Sequence, residues 1–325
     1  LKLEVDSSLS KELANYFTFE VPGAKFMPAY RNRMWDGKIR LFSEQTGKIY
    51  VGLLPYIKQY CEKSNITINI DEGVEDVRDI VYKSVRDFIS SLRPKSKGKE
   101  LEIRDYQIDA VYHALRNHRC LLLSPTASGK SLIIYSLIRY YNLLLKDKKI
   151  LILVPTTSLV EQMYKDFADY GYDKPIDKMY GGAKVGDTDI VVTTWQTLSR
   201  MPKSFFDGFG AVFGDEAHLF KAKVLTGIME KMKDIGHRWG LTGTLDDTQT
   251  HKLVLEGLFG TVNKVVSTKE LIDKKTLSQL KIDSLVLSYN KAECKFNRDL
   301  KYADELDFIV THNRRLLFTK NLVSN

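Results

Sequence analysis

Leu121-Leu122-Leu123-Ser124-Pro125-Thr126-Ala127-Ser128-Gly129-Lys130-Ser131 is the stretch from which the fold is read. An apolar run of strand length passes into a loop of small residues, and the loop opens into the apolar helical pattern of residues 131–145. Such a loop can turn its backbone N–H groups inward around phosphates, and the following helix N-terminus adds positive potential. In that reading Thr126, Ala127, Ser128 and Gly129 line the phosphates, Lys130 reaches the β- and γ-phosphates of ATP, and the Ser131 hydroxyl binds Mg2+. The strict pattern has glycine at its first position, where this chain has Ser124. The plain alternative is a glycine-containing turn with a surface lysine, and the strand-loop-helix context argues against it.

The same alternation continues outward. Residues 119–123, 150–154, 189–193, 210–213 and 239–241 are short apolar runs that read as buried strands, and residues 131–145 and 158–170 read as helices. Strands of this kind separated by helices predict an α/β fold with a parallel sheet covered on both faces. Ligands of such sheets bind at the carboxyl ends of the strands. Asp215-Glu216-Ala217-His218 follows one of those strands, which brings its acids to the same edge as Lys130. Phosphoanhydride hydrolysis needs one carboxylate near magnesium and a second group to orient or deprotonate water. Asp215 suits the first task and Glu216 the second. His218 has no second ligand at metal-binding spacing, so a separate metal site there is disfavoured.

The chain has 325 residues, 43% hydrophobic and 28% charged, with a formal charge of +8. These values suit a globular protein of two or more domains with a polyanionic partner. No apolar run approaches the roughly 20 residues of a spanning helix, so no membrane segment is expected. Leu1 stands where an initiating methionine is usual, which suggests trimming, and no secretory signal pattern follows. Cys61, Cys120 and Cys294 are widely spaced and read as reduced residues of a cytoplasmic protein. Residues 93–99 combine proline, glycine and repeated positive charge, and read as a linker. Upstream, residues 11–19 and 77–92 have helical spacing, whereas 37–42, 49–53 and 66–70 look strand-like, giving a small α+β domain. Lys25, Arg31, Arg33, Lys38 and Arg40 form a basic cluster there, interleaved with Tyr30 and Trp35 and suited to DNA phosphates and stacking. An acidic patch, Asp71, Glu72, Glu75, Asp76 and Asp79, follows it. The expected organisation is therefore 1–95, a nucleic-acid-binding domain; 96–270, an ATP-binding domain; and 271–325, a connecting segment.

Further stretches fall in the order and spacing of the superfamily 2 helicases, and the chain resembles that family. Arg104-Asp105-Tyr106-Gln107 is similar to its Q-type motif, which implies that Gln107 hydrogen-bonds adenine with Arg104 and Tyr106 nearby. The run from Val154 through Pro155, Thr156 and Thr157 to Gln162 resembles motif Ia, and Thr194-Trp195-Gln196-Thr197 resembles motif Ib. The resemblance implies that Thr156, Thr157, Thr194 and Gln196 touch the backbone of the tracked strand. Leu241-Thr242-Gly243-Thr244 resembles motif III, which implies that Thr242 and Thr244, with His218, couple hydrolysis to movement. Ala127 stands where a glycine is common in related motors.

Phe26-Met27-Pro28-Ala29-Tyr30-Arg31 and Trp35-Asp36-Gly37-Lys38-Ile39-Arg40-Leu41 narrow the resemblance to the UvsW-type helicases of T-even-like bacteriophages. That likeness implies a RecA-like P-loop NTPase domain behind a DNA-binding domain. It also implies ATP-driven helicase or translocase work on forked DNA and RNA–DNA hybrids in recombination, replication and repair, in the cytoplasm of the host. RNA helicases share the Asp-Glu-Ala-His wording, and a fragment that only binds nucleotide and nucleic acid is the non-enzymatic alternative. Such motors close their ATP site with arginines from a second RecA-like domain in a Gln-x-x-Gly-Arg-x-x-Arg run, which is not found here. Residues 283–289 read as one strand and 303–323 as a helix containing Asn313-Arg314-Arg315, as expected of a second motor domain cut short.

Overall fold

The protein is described by a computed structural model covering residues 1–325 apart from 75–76, 146, 183–185, 221, 246–248, 279–282, 290–300 and 325. Cys294, Glu75 and Asp76 thus lie outside the described residues. Leu1–Leu277 folds as one compact unit and Ser278–Asn325 as another.

A seven-stranded sheet organises the first unit. Its strands are β1 (Arg119–Leu123), β2 (Lys149–Val154), β3 (Ile176–Met179), β4 (Ile190–Thr194), β5 (Phe209–Gly214), β6 (His237–Thr242) and β7 (Val262–Lys264). They lie in the spatial order β7-β1-β6-β5-β2-β4-β3, and every pairing is parallel. The α/β expectation holds, and all five strands read from the sequence are present. The two edge strands, β3 and β7, were not foreseen.

Side-chain alternation along each strand splits the core in two. Leu121, Leu151, Leu153, Val191 and Val212 face one side, where they join Phe259 and the N-terminal residues Leu13, Phe17, Phe42, Leu53 and Ile57. Cys120, Leu122, Ile150, Ile152, Val154 and Phe213 face the other, against Ile133, Leu137 and Tyr141 of the helix Lys130–Leu144 and against Val111 and Leu115 of the helix Asp105–Arg116. Burial on both faces is why these strands read as continuous apolar runs.

Glycines let the first face close. A Cβ on Gly214 would lie 2.8 Å from the Phe259 ring, and one on Gly240 would lie 2.6 Å from Leu121, so that ring lies directly on the sheet backbone. The helix carrying it, Gln249–Phe259, is also where the N-terminal elements dock. A Cβ on Gly52 would overlap the Glu256 carbonyl oxygen, and the Tyr56 hydroxyl donates to Glu256 Oε2 at 2.6 Å.

Other N-terminal details depart from the sequence reading. Residues 49–53, expected as a strand, form a short bridge at Ile49 and then the turn Val51–Leu53, because Pro55 opens the helix Leu54–Lys63. Residues 66–70 carry no strand. The basic stretch 93–99 is a tight hairpin that pairs Lys95–Ser96 with Lys99–Glu100, with Lys97 and Gly98 both at positive φ. In the second unit, residues 283–289 form no strand, and the expected helix is two, Tyr302–Thr311 and Asn313–Ser324. Among the described residues no helix is long and apolar enough to cross a membrane.

Candidate functional site

Sheet order assembles the site. The phosphate loop leaves the end of β1, Thr242-Gly243-Thr244 ends β6, and Asp215-Glu216 follows β5, so three neighbouring strand ends carry these groups. The next two strands along the same edge, β2 and β4, lead into Thr156-Thr157 and Thr194-Trp195-Gln196. Candidate nucleotide residues and candidate strand-contact residues therefore lie side by side.

The phosphate loop is held from inside by its serines. Ser128 is buried, its hydroxyl donating to Pro125 O at 2.6 Å and lying 2.6 Å from Ser124 Oγ. Ser124, the departure from the glycine pattern, thus closes the loop from below, and its own N–H bonds Thr242 O at 2.8 Å. Gly129 caps the following helix at φ 84°, and Gln107 packs where its Cβ would be. Ala127 adopts φ 64°, a left-handed conformation that glycine takes without steric cost. Thr126 and Ala127 form the exposed rim of the loop.

Lys130 and Glu216 close the site across the sheet. Lys130 Nζ is 2.7 Å from Glu216 Oε1, with both side chains mostly buried. Glu216 Oε2 lies 3.4 Å from His218 Nδ1, and His218 Nδ1 lies 2.7 Å from Thr242 Oγ1, whose hydroxyl lies 2.6 Å from Thr244 O. Gly243 is so close that a Cβ there would sit 3.3 Å from Lys130 Nζ. Glu216 itself has φ 48°, a left-handed strain for a non-glycine residue that turns its carboxylate toward Lys130.

Asp215 is 8% exposed, and its backbone N–H bonds Leu153 O of β2 at 2.9 Å. Burial, followed by the neighbouring Glu216 charge, raises its pKa from 3.8 to about 6, against the lowering pull of Lys130. Ser131 Oγ lies 2.8 Å from the Tyr170 hydroxyl. Sequence reasoning missed Tyr170. Its place just after a helical apolar pattern was visible, but its contact with Ser131, 39 positions away, was not.

The residues expected on the adenine side are joined beneath the loop. Gln107 Nε2 donates to Ser128 O at 2.9 Å, Gln107 Oε1 accepts from the Arg104 N–H at 3.0 Å, and the Tyr106 hydroxyl donates to Ser128 O at 3.1 Å. Arg104 Nη1 in turn donates to the Tyr106 hydroxyl at 2.8 Å. Gln107 and Tyr106 are buried, so they brace the phosphate loop, and Arg104 is exposed.

Of the expected strand contacts, Thr157 and Gln196 are exposed. Thr156 is also exposed and caps its helix through the Leu159 N–H at 3.3 Å. Thr194 is buried with its hydroxyl 3.1 Å from that of Thr197. In the N-terminal region, Lys25, Arg31 and Arg33 share a concavity with Tyr30, Met34, Trp35 and Asp36. Arg40 is ion-paired with Asp36, and Lys38 lies 3.9 Å from Glu20. Trp35 donates to Lys38 O at 2.8 Å, which ties it to the local hairpin.

A phosphate loop, an aspartate two strands away and a parallel seven-stranded sheet define a RecA-like P-loop NTPase domain. Residues 100–247 match the family described as type III restriction enzyme, res subunit, and residues 1–71 match that described as DNA helicase UvsW, N-terminal. The ATP-dependent DNA helicase UvsW of Enterobacteria phage T4 is 35% identical, with 97% of this chain and 64% of that protein covered. One crystal structure of the bacteriophage T4 UvsW helicase superposes with a TM-score of 0.73 at 36% identity, covering 81% of this chain and 95% of that one. A second T4 UvsW crystal structure gives a TM-score of 0.75 at 36% identity, covering 83% of this chain and 56% of that one. The DNA 3'-5' translocase XPB2 of Sulfurisphaera tokodaii is 28% identical over 62% of this chain and 44% of its own length. The chain belongs to the UvsW family of superfamily 2 helicases. It spans 64% of the length of the phage T4 relative.

Proposed function

We propose that the chain is the ATP-binding and ATP-hydrolysing part of a DNA-directed motor that acts on branched DNA and on RNA paired in R-loops. The observation that carries this reading is the 2.7 Å contact between Lys130 and Glu216, continued through His218 to Thr242. It joins the phosphate loop, the acidic pair and the coupling threonines into one network. The names of the phage T4 and Sulfurisphaera relatives, a DNA helicase and a DNA translocase, support DNA as the partner.

Each residue has a task in this scheme. The Ser124–Ser131 backbone cradles the phosphates, and Lys130 stabilises charge on the transferring phosphoryl group. Ser131 and Asp215 hold Mg2+, which when bound neutralises phosphate charge. The residues would suit that ion: Ser131 and Asp215 both offer hard oxygen donors, and Asp215 is a buried carboxylate whose ionised form a divalent cation would favour. Glu216 orients and deprotonates the attacking water, and it shares Lys130 with the phosphates, so phosphate arrival competes with the ion pair. His218, Thr242 and Thr244 pass the change along the sheet edge toward Thr156, Thr157 and Gln196, which face the tracked strand, whereas the buried Thr194 is held by Thr197. Arg104, Tyr106 and Gln107 form the adenine side.

The test is ATP turnover by the complete protein with forked DNA, linear duplex, RNA duplex or no nucleic acid. The reading expects the greatest stimulation by forked DNA. Stimulation by RNA alone would overturn the DNA assignment, and nucleotide binding without turnover would reduce the protein to a binding module.

A further inference from the structure

Two arginines open neighbouring strands at the amino end of the sheet, away from the phosphate loop. Arg119 is the first residue of β1 and Arg238 the second of β6, and the parallel pairing makes them register partners. Their guanidinium groups converge on one acceptor: Arg119 Nη2 and Arg238 Nε both donate to Ile235 O at 3.2 Å, and Arg238 Nη2 donates to Met232 O at 2.5 Å. Carbonyl oxygens carry no net charge, and among the described residues neither arginine forms an ion pair with a carboxylate. Arg238 is 5% exposed, and burial together with the charge of Arg119 lowers its pKa to about 9 against the pull of Asp234.

The pair lines a cavity of about 880 Å3, which Arg78 and Lys233 also line. Tyr50 and Gly52 line it from the N-terminal elements. Glu230 is the one acid among its described lining residues, and the Tyr50 hydroxyl donates to it at 3.4 Å. The cavity therefore holds a surplus of positive charge. Like charges held side by side repel, and taking them out of water adds to the cost. A guanidinium fork matches paired oxygens of a phosphate, and two neighbouring forks match an anion with several such oxygens. An anion between them replaces repulsion with charge-assisted hydrogen bonds.

We propose that this cavity is a second anion site, which takes a small polyanion bearing phosphate groups and holds it between Arg119 and Arg238. The surplus of positive charge calls for several negative charges on the ligand, and a concavity lined from both the N-terminal elements and the sheet suits a compact anion rather than a continuous strand. The site lies at the opposite strand ends from Lys130 and Thr242. It holds whether or not the phosphate loop hydrolyses ATP.

The experiment titrates inorganic pyrophosphate in EDTA into the complete protein by isothermal calorimetry, with Lys130→Ala as the background that silences the phosphate loop. The Lys130→Ala protein is expected to keep one pyrophosphate site. Adding Arg119→Gln is expected to lower its affinity by about 10–100-fold, the scale of a lost hydrogen bond to a charged group. Arg119→Lys keeps the charge but not the fork, and its affinity should fall between the two. Pyrophosphate should raise the thermal unfolding midpoint of the Lys130→Ala protein more than that of the double variant. Loss of all pyrophosphate binding with Lys130→Ala alone overturns the proposal, as does equal affinity with and without Arg119→Gln. If Arg119→Gln does not fold, Arg119→Lys decides on the same readouts, and an affinity equal to that of the Lys130→Ala protein overturns the proposal. Displacement of the pyrophosphate by short duplex DNA would give the cavity to a nucleic-acid backbone and overturn the small-anion assignment.

Discussion

Lys130 and Glu216, 86 residues apart in sequence, meet at 2.7 Å across the carboxyl edge of the sheet. The contact depends on β6, the strand that separates those bearing the two motifs and places Gly243 beneath the lysine. Glu216 and Asp215 are adjacent in the chain yet differ in environment, and their variants should therefore differ.

Glu216→Gln keeps the shape of the side chain but removes the proposed base. It is expected to bind nucleotide and Mg2+ normally and to lose hydrolysis by about 100-fold or more, the scale of general base loss. Asp215→Ala should instead weaken Mg2+-dependent nucleotide binding. Nucleotide titrations with and without Mg2+, beside turnover assays, check this; identical binding defects would show the roles to be wrongly divided.

Asp215 also gives a pH signature in the metal-free protein. Its folded pKa of about 6 is above the ordinary 3.8 of an aspartate, so it is protonated in both folded and unfolded chains below about pH 4. As pH rises from about 4 to 6 the unfolded chain loses its proton first, and the folded state is progressively destabilised. Above pH 6 the cost is complete, on the order of 3 kcal/mol at about 1.4 kcal/mol per pKa unit. Asp215→Asn should thus be more stable than wild type at pH 7 in EDTA, with the difference shrinking toward pH 4. Urea denaturation across that range checks the sign, and a difference that does not vary with pH would contradict it.

Much of this fold was legible because burial on both faces leaves an unmistakable pattern. Residues 150–154, Ile-Leu-Ile-Leu-Val, can only be a fully buried segment, and the strand-loop-helix context of Lys130 fixed the site's edge. The edge strands were hidden because their exposed side admits polar residues: Ile176-Asp177-Lys178-Met179 and Val262-Asn263-Lys264 lack the apolar signal. Residues 49–53 misled for a different reason. Their apolar run packs against a helix some 200 positions later, where only Gly52 fits over the Glu256 carbonyl. At the site, the order of motifs pointed to Lys130, Asp215 and Glu216, but no local pattern joins Tyr170 to Ser131.

Ala127 carries a left-handed φ of 64° in the phosphate loop. That conformation costs an alanine about 1–2 kcal/mol, while glycine brings back roughly 0.5–1 kcal/mol of chain entropy. Ala127→Gly is therefore expected to stabilise the protein by up to about 1 kcal/mol. Equilibrium denaturation measures this, and a clear loss of stability would mean that the Ala127 methyl group makes contacts worth more than the strain.

The N-terminal basic cluster divides into two groups. Lys25, Arg31 and Arg33 share one concavity, whereas Arg40 is engaged by Asp36. If the first three meet DNA phosphates, neutralising them should lower the slope of log affinity against log salt by about 0.9 per lost contact. The loss should be similar for all sequences, since phosphates carry no base information. Arg40→Gln should change the slope little. Fork and linear duplex binding over a salt series tests this; an unchanged slope in the triple variant would leave the cluster a solvated face.

The most direct test of the account is ATP hydrolysis by the complete protein carrying Lys130→Ala, measured as phosphate release with saturating forked DNA. Lys130 is the only lysine in the Ser124–Ser131 loop. Losing such preorganised stabilisation typically costs about 100–1,000-fold in turnover. Turnover is expected to fall on that scale with thermal unfolding still cooperative; retention of more than about a tenth of wild-type turnover would show that Lys130 is not the phosphate-stabilising group.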